Sequence, residues 1–236
     1  MAAPASGLDF AEIDLAETPL RELNAALHAL ADGSPKHWRI LNPRGAHAIA
    51  VGVDAPVDIE IDGHAGYYCA GMNKQATVRV HGNAGVGVAE NIMSGSVVVE
   101  GNASQSAGAS GHGGLLSIRG SASARCGISM KGVDIVVRGS VGHMSAFMAQ
   151  KGRLVVCGDA GDALGDSIYE ARLYVRGSVA SLGADCIEKE MRDEHMAELA
   201  DLLERAEVTE VEAGDFRRYG SARRLYNFDI DNAGAY

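Results

Sequence analysis

The sequence predicts an all-β fold: a right-handed parallel β-helix of about seven nineteen-residue coils, capped by an N-terminal and a C-terminal α-helix. Three observations carry this prediction. Glycines stand at Gly63, Gly82, Gly101, Gly120, Gly139, Gly158 and Gly177, at a constant interval of nineteen. Each closes a short alternating phrase, from Ile59-Glu60-Ile61-Asp62-Gly63 to Leu173-Tyr174-Val175-Arg176-Gly177. Two residues beyond each glycine comes a small apolar side chain: Ala65, Ala84, Ala103, Ala122, Val141, Ala160 and Val179.

A period that never changes length marks a unit stacking on copies of itself. The alternation reads as a short strand and the glycine as its turn. The residue after each glycine is His64, Asn83, Asn102, Ser121, Ser140, Asp159 or Ser178, and six of these seven are turn formers able to bond their own backbone. Left-handed hexapeptide helices count in sixes, about eighteen residues per three-sided coil. A steady nineteen does not fit that count, which favours the right-handed form. The remaining two faces of each coil are rich in Gly, Ala and Ser, suited to tight turns and a thin core.

Within each strand, the residue three before the glycine faces outward. In order these are Glu60, Arg79, Val98, Ser117, Val136, Val155 and Tyr174. The early coils are charged here and the later ones mostly apolar, with Ser117 interrupting. An outward apolar strip needs a cover. A partner subunit is the expected cover, with a terminal helix of this chain as the alternative.

Both ends leave the repeat, as stacked folds require. Thr18-Pro19 starts a helix that presents Leu20, Leu23, Leu27 and Leu30 on one face and stops at Gly33. At the other end, Asp185 with Glu188 resembles a capping box. That helix would run to about Val208 with Ile187, Met191, Leu199, Leu202 and Ala206 on one side. The expected organisation is an N-terminal extension with its capping helix over residues 1–44, the β-helix over 45–183, and a C-terminal helix with a docking tail over 184–236. From Gly214 onward the tail holds five of the chain's twelve aromatics and Arg217, Arg218, Arg223 and Arg224. Aromatics with arginine suit an interface; a tail folded back on its own rod is the equal alternative.

The net charge of −10 argues against a nucleic-acid module. Cys69, Cys126, Cys157 and Cys186 are widely spaced and form no CxxC or iron–sulfur run. Cys69 and Cys126 share a coil position three coils apart, about 14 Å, too far for a disulfide. Reduced thiols and the lack of a signal or membrane segment give a cytoplasmic expectation.

The familiar catalytic motifs are missing. Gly82-Asn83-Ala84-Gly85-Val86-Gly87 is a coil turn with no helix after it, and Gly111-His112-Gly113-Gly114 reads as a corner. His81 and His143 lie within coils, where hydrogen-bonded surface roles are expected. Glu90, Asp162 and Asp166 could meet across coils, but nothing selects them as an acid–base set. No catalytic, cofactor-binding or metal-binding residue is assigned.

The glycine ladder is similar to the GXGXG domain at the C-terminus of the glutamate synthase large subunit, which has a relative in formylmethanofuran dehydrogenase. The resemblance covers roughly residues 45–190 and rests on the Gly82–Gly87 phrase, Gly101-Asn102-Ala103, Arg138-Gly139-Ser140-Val141 and Arg176-Gly177-Ser178-Val179. A nearly free-standing domain with short helical ends resembles the middle subunit of three-subunit glutamate-synthase-like enzymes, above all N-methylglutamate synthase. The resemblance implies a structural subunit. Its partners would be a class II amidotransferase-like subunit and an FMN-binding synthase subunit. FMN and an iron–sulfur cluster would sit on the latter. The assembly would convert glutamate and methylamine to N-methylglutamate and ammonia. An equivalent subunit of a related enzyme is the nearer alternative, and a free-standing polysaccharide-active β-helix the more distant one.

Overall fold

The structure, a computed structural model, describes residues 10–223. One 11-stranded sheet runs the length of the molecule. Its strands are β1 (Phe10–Asp14), β2 (His37–Leu41), β3 (Asp58–Ile61), β4 (Thr77–Val80), β5 (Ser96–Val99), β6 (Leu115–Ile118), β7 (Lys131–Val137), β8 (Lys151–Val156), β9 (Arg172–Val175), β10 (Cys186–Lys189) and β11 (Arg217–Ser221). Two α-helices, α1 (Leu20–His28) and α2 (Asp193–Arg205), flank the coils. The order is β1 through β9, then β11 and β10. Every pair from β1 to β9 is parallel. The chain is a parallel β-solenoid of about seven regular turns, β3 to β9.

The register read from the glycines holds along those turns. Ile59, Val78, Val97, Leu116, Ile135, Leu154 and Leu173 sit opposite one another in sequence. All seven are buried in one core, together with Ile61, Val80, Val99, Ile118, Val137, Val156 and Val175. The second side of each coil is a ladder of single-residue parallel bridges, Ala65 to Ala84 and onward to Val179.

The ladder glycines are required for a reason other than a turn. Only Gly63 among them has positive φ, at 138°. What the others need is room. The Gly120 N–H donates to the Gly101 carbonyl at 2.9 Å, and a Cβ on Gly120 would lie 2.8 Å from that oxygen and against Asn102 Oδ1. The residue after each glycine does not bond its own backbone, as expected from sequence, but that of the next coil. His64 Nδ1 accepts from Asn83 N–H at 2.9 Å, Asn83 Oδ1 from Asn102 N–H at 2.8 Å, and Asn102 Oδ1 from Ser121 N–H at 2.8 Å. Ser121, Ser140 and Asp159 continue the chain to Ser178.

The third side is built from left-handed residues at alternate positions. Tyr68, Ala70 and Met72 have φ of 59°, 52° and 56°, and the pattern recurs through Gly87, Ala89 and Asn91 to Ala163, Gly165 and Ser167. For a residue with a side chain this conformation costs about 1 kcal/mol or more. Hydrogen bonds to both neighbouring coils offset it. Tyr68 N–H donates to Val86 O at 2.8 Å, Ala70 N–H to Ile49 O at 2.9 Å, and Met72 N–H to Glu90 O at 2.8 Å. The middle residue of each triplet points inward and is Ala or Gly: Ala70, Ala89 and Ala146 are fully buried.

The ends differ from the sequence reading in detail. Parallel pairing already begins at β1 and β2, ahead of residue 45. In α1, Pro19 is the N-cap and no side chain caps the helix, so Thr18 does not serve. The helix ends at His28, before Gly33, where Ala29 N–H is shared by the Ala25 and Ala26 carbonyls. Leu23 and Leu27 still enter the main core. The capping box at Asp185 and Glu188 does not form. Asp185 has φ 64°, and Cys186–Lys189 is a strand pairing antiparallel with β11, which leaves Ile187 exposed. The helix begins later, at Asp193.

Two substitutions test the coil contact. Gly120→Ala should cost about 1–3 kcal/mol or prevent folding, because its clash is with backbone. Asn102→Ala should cost about 1 kcal/mol by leaving Ser121 N–H without its acceptor. Urea unfolding midpoints would measure both.

Candidate functional site

The outer face of the sheet is where side chains differ from coil to coil. On β6 to β9, α2 lies across it. Leu199, Leu202, Leu203 and Ala206 at the helix pack on Leu115, Val136, Val155 and Tyr174. Val208, Phe216 and Cys157 complete this second core. The apolar strip is therefore closed by a helix of the same chain, not by the expected partner subunit. The sequence separates these two covers poorly, because an apolar strip does not say which apolar face meets it. Ser117 lies under this cover, 1% exposed, with no hydrogen-bond partner for Oγ among the described residues.

Charged side chains frame the strip and fasten the helix. Glu198 accepts from Tyr174 Oη–H at 2.6 Å and Arg172 at 2.7 Å, and pairs with Arg153 at 3.1 Å. Burial opposes its charge, but Tyr174, Arg172 and Arg153 together hold the carboxyl below its usual range. Asp134 pairs with Arg153 at 2.9 Å and Arg205 at 3.4 Å, yet burial outweighs both arginines and raises it. Arg119 donates to the Ala206 carbonyl at the helix C-cap at 2.7 Å and pairs with Glu207. Arg138 grips Glu210 through two bonds of 2.7 and 2.6 Å, which bring that carboxyl down to about 2. Sequence reading missed this frame. Its signal was two pairs of arginines, 119 with 138 and 153 with 172, each pair one coil apart beside the strip, facing a helix rich in glutamate.

On β2 to β4 no helix among the described residues lies over the sheet, and the outer columns are ionic. Arg39 pairs with Asp62 at 2.6 Å and His37 with Asp58 at 3.2 Å. His81 meets Glu60, and Arg79 meets Glu100. Phe10, 42% exposed, and Trp38 border the same groove, whose volume is about 610 Å³. Exposed pairs of this kind contribute little to stability, typically under about 1 kcal/mol each.

The other residues singled out by sequence stay apart. Glu90 and Asp166 share a coil position, four coils or about 19 Å apart. Asp162 accepts from Ser181 Oγ at 3.0 Å, and Asp166 from Ser167 Oγ at 2.8 Å, which are local bonds. Gly87 opens a left-handed triplet, and Gly114 (φ 80°) is a corner whose Cβ would lie 2.7 Å from Gly95 O. Cys69 and Cys126 are buried free thiols pushed up to about 12 by burial, and burial takes Cys157 and Cys186 to about 11. In the tail, Phe216 and Tyr219 are buried against the rod, while Arg224, Tyr226, Phe228 and Tyr236 lie outside the described residues. Among the described residues, no group of three His, Cys, Asp or Glu could hold a metal ion, and no helix is long and apolar enough to cross a membrane.

Fold and face together define a capped parallel β-solenoid, half of whose outer sheet is closed by its own helix. The chain is 67% identical over 225 residues to Protein GlxC of Rhizobium meliloti (strain 1021), a match spanning 95% of this chain and 99% of that protein. It belongs to the GlxC family. No family model matches the chain, and no solved structure matches it.

Two variants test how α2 is held. Glu198→Gln should cost about 2–3 kcal/mol, since it weakens two charged hydrogen bonds. The wild-type contribution of Glu198 follows from its lowered folded pKa. It is complete above the unfolded value of about 4.5 and disappears as pH falls through the folded one. The gap between wild type and Glu198→Gln in thermal unfolding should therefore close in acid. Ser117→Ala should stabilise by about 1 kcal/mol, because it removes a buried hydroxyl without a partner.

Proposed function

We propose that this chain is the structural β-helix subunit of a multisubunit glutamate-synthase-like enzyme, and that the enzyme is an N-methylglutamate synthase. It would hold an amidotransferase-like subunit and an FMN-binding synthase subunit in fixed relation, in the cytoplasm. Flavin and any iron–sulfur cluster would belong to the synthase subunit.

The observation that carries this reading is the division of the outer face. One continuous sheet is sealed over β6 to β9 by α2, while β2 to β4 keep a broad ionic groove. The side chains that recur on every coil serve stacking: glycine against carbonyl, and polar side chain to the next N–H. The glycine phrases that resemble the GXGXG domain are those stacking residues. A rigid rod with one open charged face suits a part that positions others.

Co-expression with the two partner subunits tests it. Alone, the chain should be colourless and without activity; with them it should enter one complex that carries flavin absorbance and forms N-methylglutamate from glutamate and methylamine. The double variant Arg39→Ala/His81→Ala should leave the thermal midpoint nearly unchanged, as exposed pairs contribute little. It should weaken assembly about tenfold or more, about 1.4 kcal/mol, read by native mass spectrometry. Flavin retained by the isolated chain would overturn the division of labour. Release of ammonia from glutamate with an amine other than methylamine as the preferred acceptor substrate would overturn the specific enzyme.

A further inference from the structure

At the C-terminal end of the sheet the outer face changes character again. A cleft of about 200 Å³ opens between β9, β10, β11 and the start of α2. Five cations line it, Arg172, Lys189, Arg192, Arg218 and Arg223, against two carboxylates, Glu170 and Glu190. This occurs in a chain whose net charge is −10.

The strand register makes the crowding unavoidable. Lys189 of β10 sits directly opposite Arg218 of β11, and Arg218 directly opposite Tyr174 of β9. Like charges opposite one another in an antiparallel pair are destabilising. Several carboxylates nearby are committed to other cations. Glu190 in the lining pairs with Arg192 at 3.3 Å, and outside it Glu198 is taken by Arg172, Arg153 and Tyr174, and Asp185 by Arg223. Arg218 spends only Nε, which donates to the Glu190 carbonyl at 2.9 Å. Neither Arg218 nor Lys189 has an ion-pair partner among the described residues. Burial, with Arg172 and Arg192 close by, lowers Arg218 below the usual guanidinium range.

A further donor lines the same space. The His195 side chain is 5% exposed, and its Nδ1 accepts the Arg192 N–H at 3.2 Å. Burial, then Arg218 and Arg172, lower its pKa, against the opposing pull of Glu194 and Glu198. The ring is thus neutral near pH 7, with its proton on Nε2, which lies 3.6 Å from Glu194 Oε1.

We propose that this cleft binds a small oxyanion, a phosphate or a short carboxylate, through the Arg218 guanidinium, the Lys189 ammonium and His195 Nε2–H. The Nη edge of Arg218, which has no partner among the described residues, suits two-point recognition of such a group. The volume is smaller than that of pockets for drug-sized ligands, which restricts the occupant to a small molecule. The proposal stands apart from the subunit reading, since the proposed donors all belong to this chain.

Isothermal titration of the isolated full-length chain with inorganic phosphate, and separately with succinate, tests it at constant ionic strength set by sodium chloride. One of the two should bind saturably at one site, which also identifies the ligand class, and should raise the thermal midpoint. Arg218→Gln should weaken binding about tenfold or more, the loss of a charged contact. Lys189→Gln breaks no ion pair among the described residues, so it should weaken binding while the ligand-free midpoint holds or rises; it keeps the test valid if Arg218→Gln fails to fold. Arg39→Gln, at the opposite end of the sheet, should bind as wild type. No saturable binding of either probe, or equal binding by Lys189→Gln and wild type, would overturn the proposal. Saturable binding that appears only after Asp229→Asn and Asp231→Asn would also overturn it, by assigning the cleft to the chain's own following segment.

Discussion

At one corner of each coil from Gly101 to Gly177, a backbone N–H meets the carbonyl of the coil before it with no side chain between them. The Gly101, Gly120 and Gly139 contacts, at 2.9–3.0 Å, are representative. This approach fixes the height of each coil against the next, and the remaining columns inherit that height. The inward aliphatic pairs, the Asn and Ser acceptors and the left-handed triplets all depend on equivalent neighbours arriving one coil later. The stacked coils of a β-solenoid are held by such repetition: many modest bonds, each made only when its neighbours are in place.

The parts of the fold that obey a simple period were readable from the chain. The strands alternate with period two, and the glycines return at a constant interval, so the sheet and its inward face followed directly. The third side was not readable, because left-handed positions advertise themselves only when glycine fills them. Here Tyr68, Met72, Ser106 and Met148 fill them instead, supported by hydrogen bonds to adjacent coils. The start of α2 was misplaced for a related reason. Cys186–Lys189 is too short to show a period, and its strand state is imposed by β11, which lies far along the chain beyond the helix. Of the outer face, the change from charged to apolar was visible in the sequence. What covers it was not, because α2 could have lain on either half until the arginine positions were matched to Glu198, Glu207 and Glu210.

The outer face thus carries three surfaces in succession along one sheet: an ionic groove, a sealed apolar strip, and a cationic cleft. The two open regions sit at opposite ends of α2. Arg119 holds the helix C-cap toward the groove, while Arg172 and His195 stand near its first turns at the cleft. Arg172 belongs both to the fastening of α2, through Glu198, and to the wall of the cleft. A charge arriving in the cleft therefore acts on the same residues that keep the helix down.

The constancy of the coil also governs how such a molecule can change in size. A complete extra coil adds about 4.8 Å of height and leaves every column aligned. A lone inserted residue would shear all three sides at once. Departures from the count occur where the structure can absorb them: at the β1–β2 connection that holds α1, in the longer span from β2 to β3, at a register shift between Lys131 and Asp134 on β7, and at the Leu164–Leu182 bridge. Length in this protein is graduated like a ruler, and the separation between groove and cleft is set by an integer number of coils.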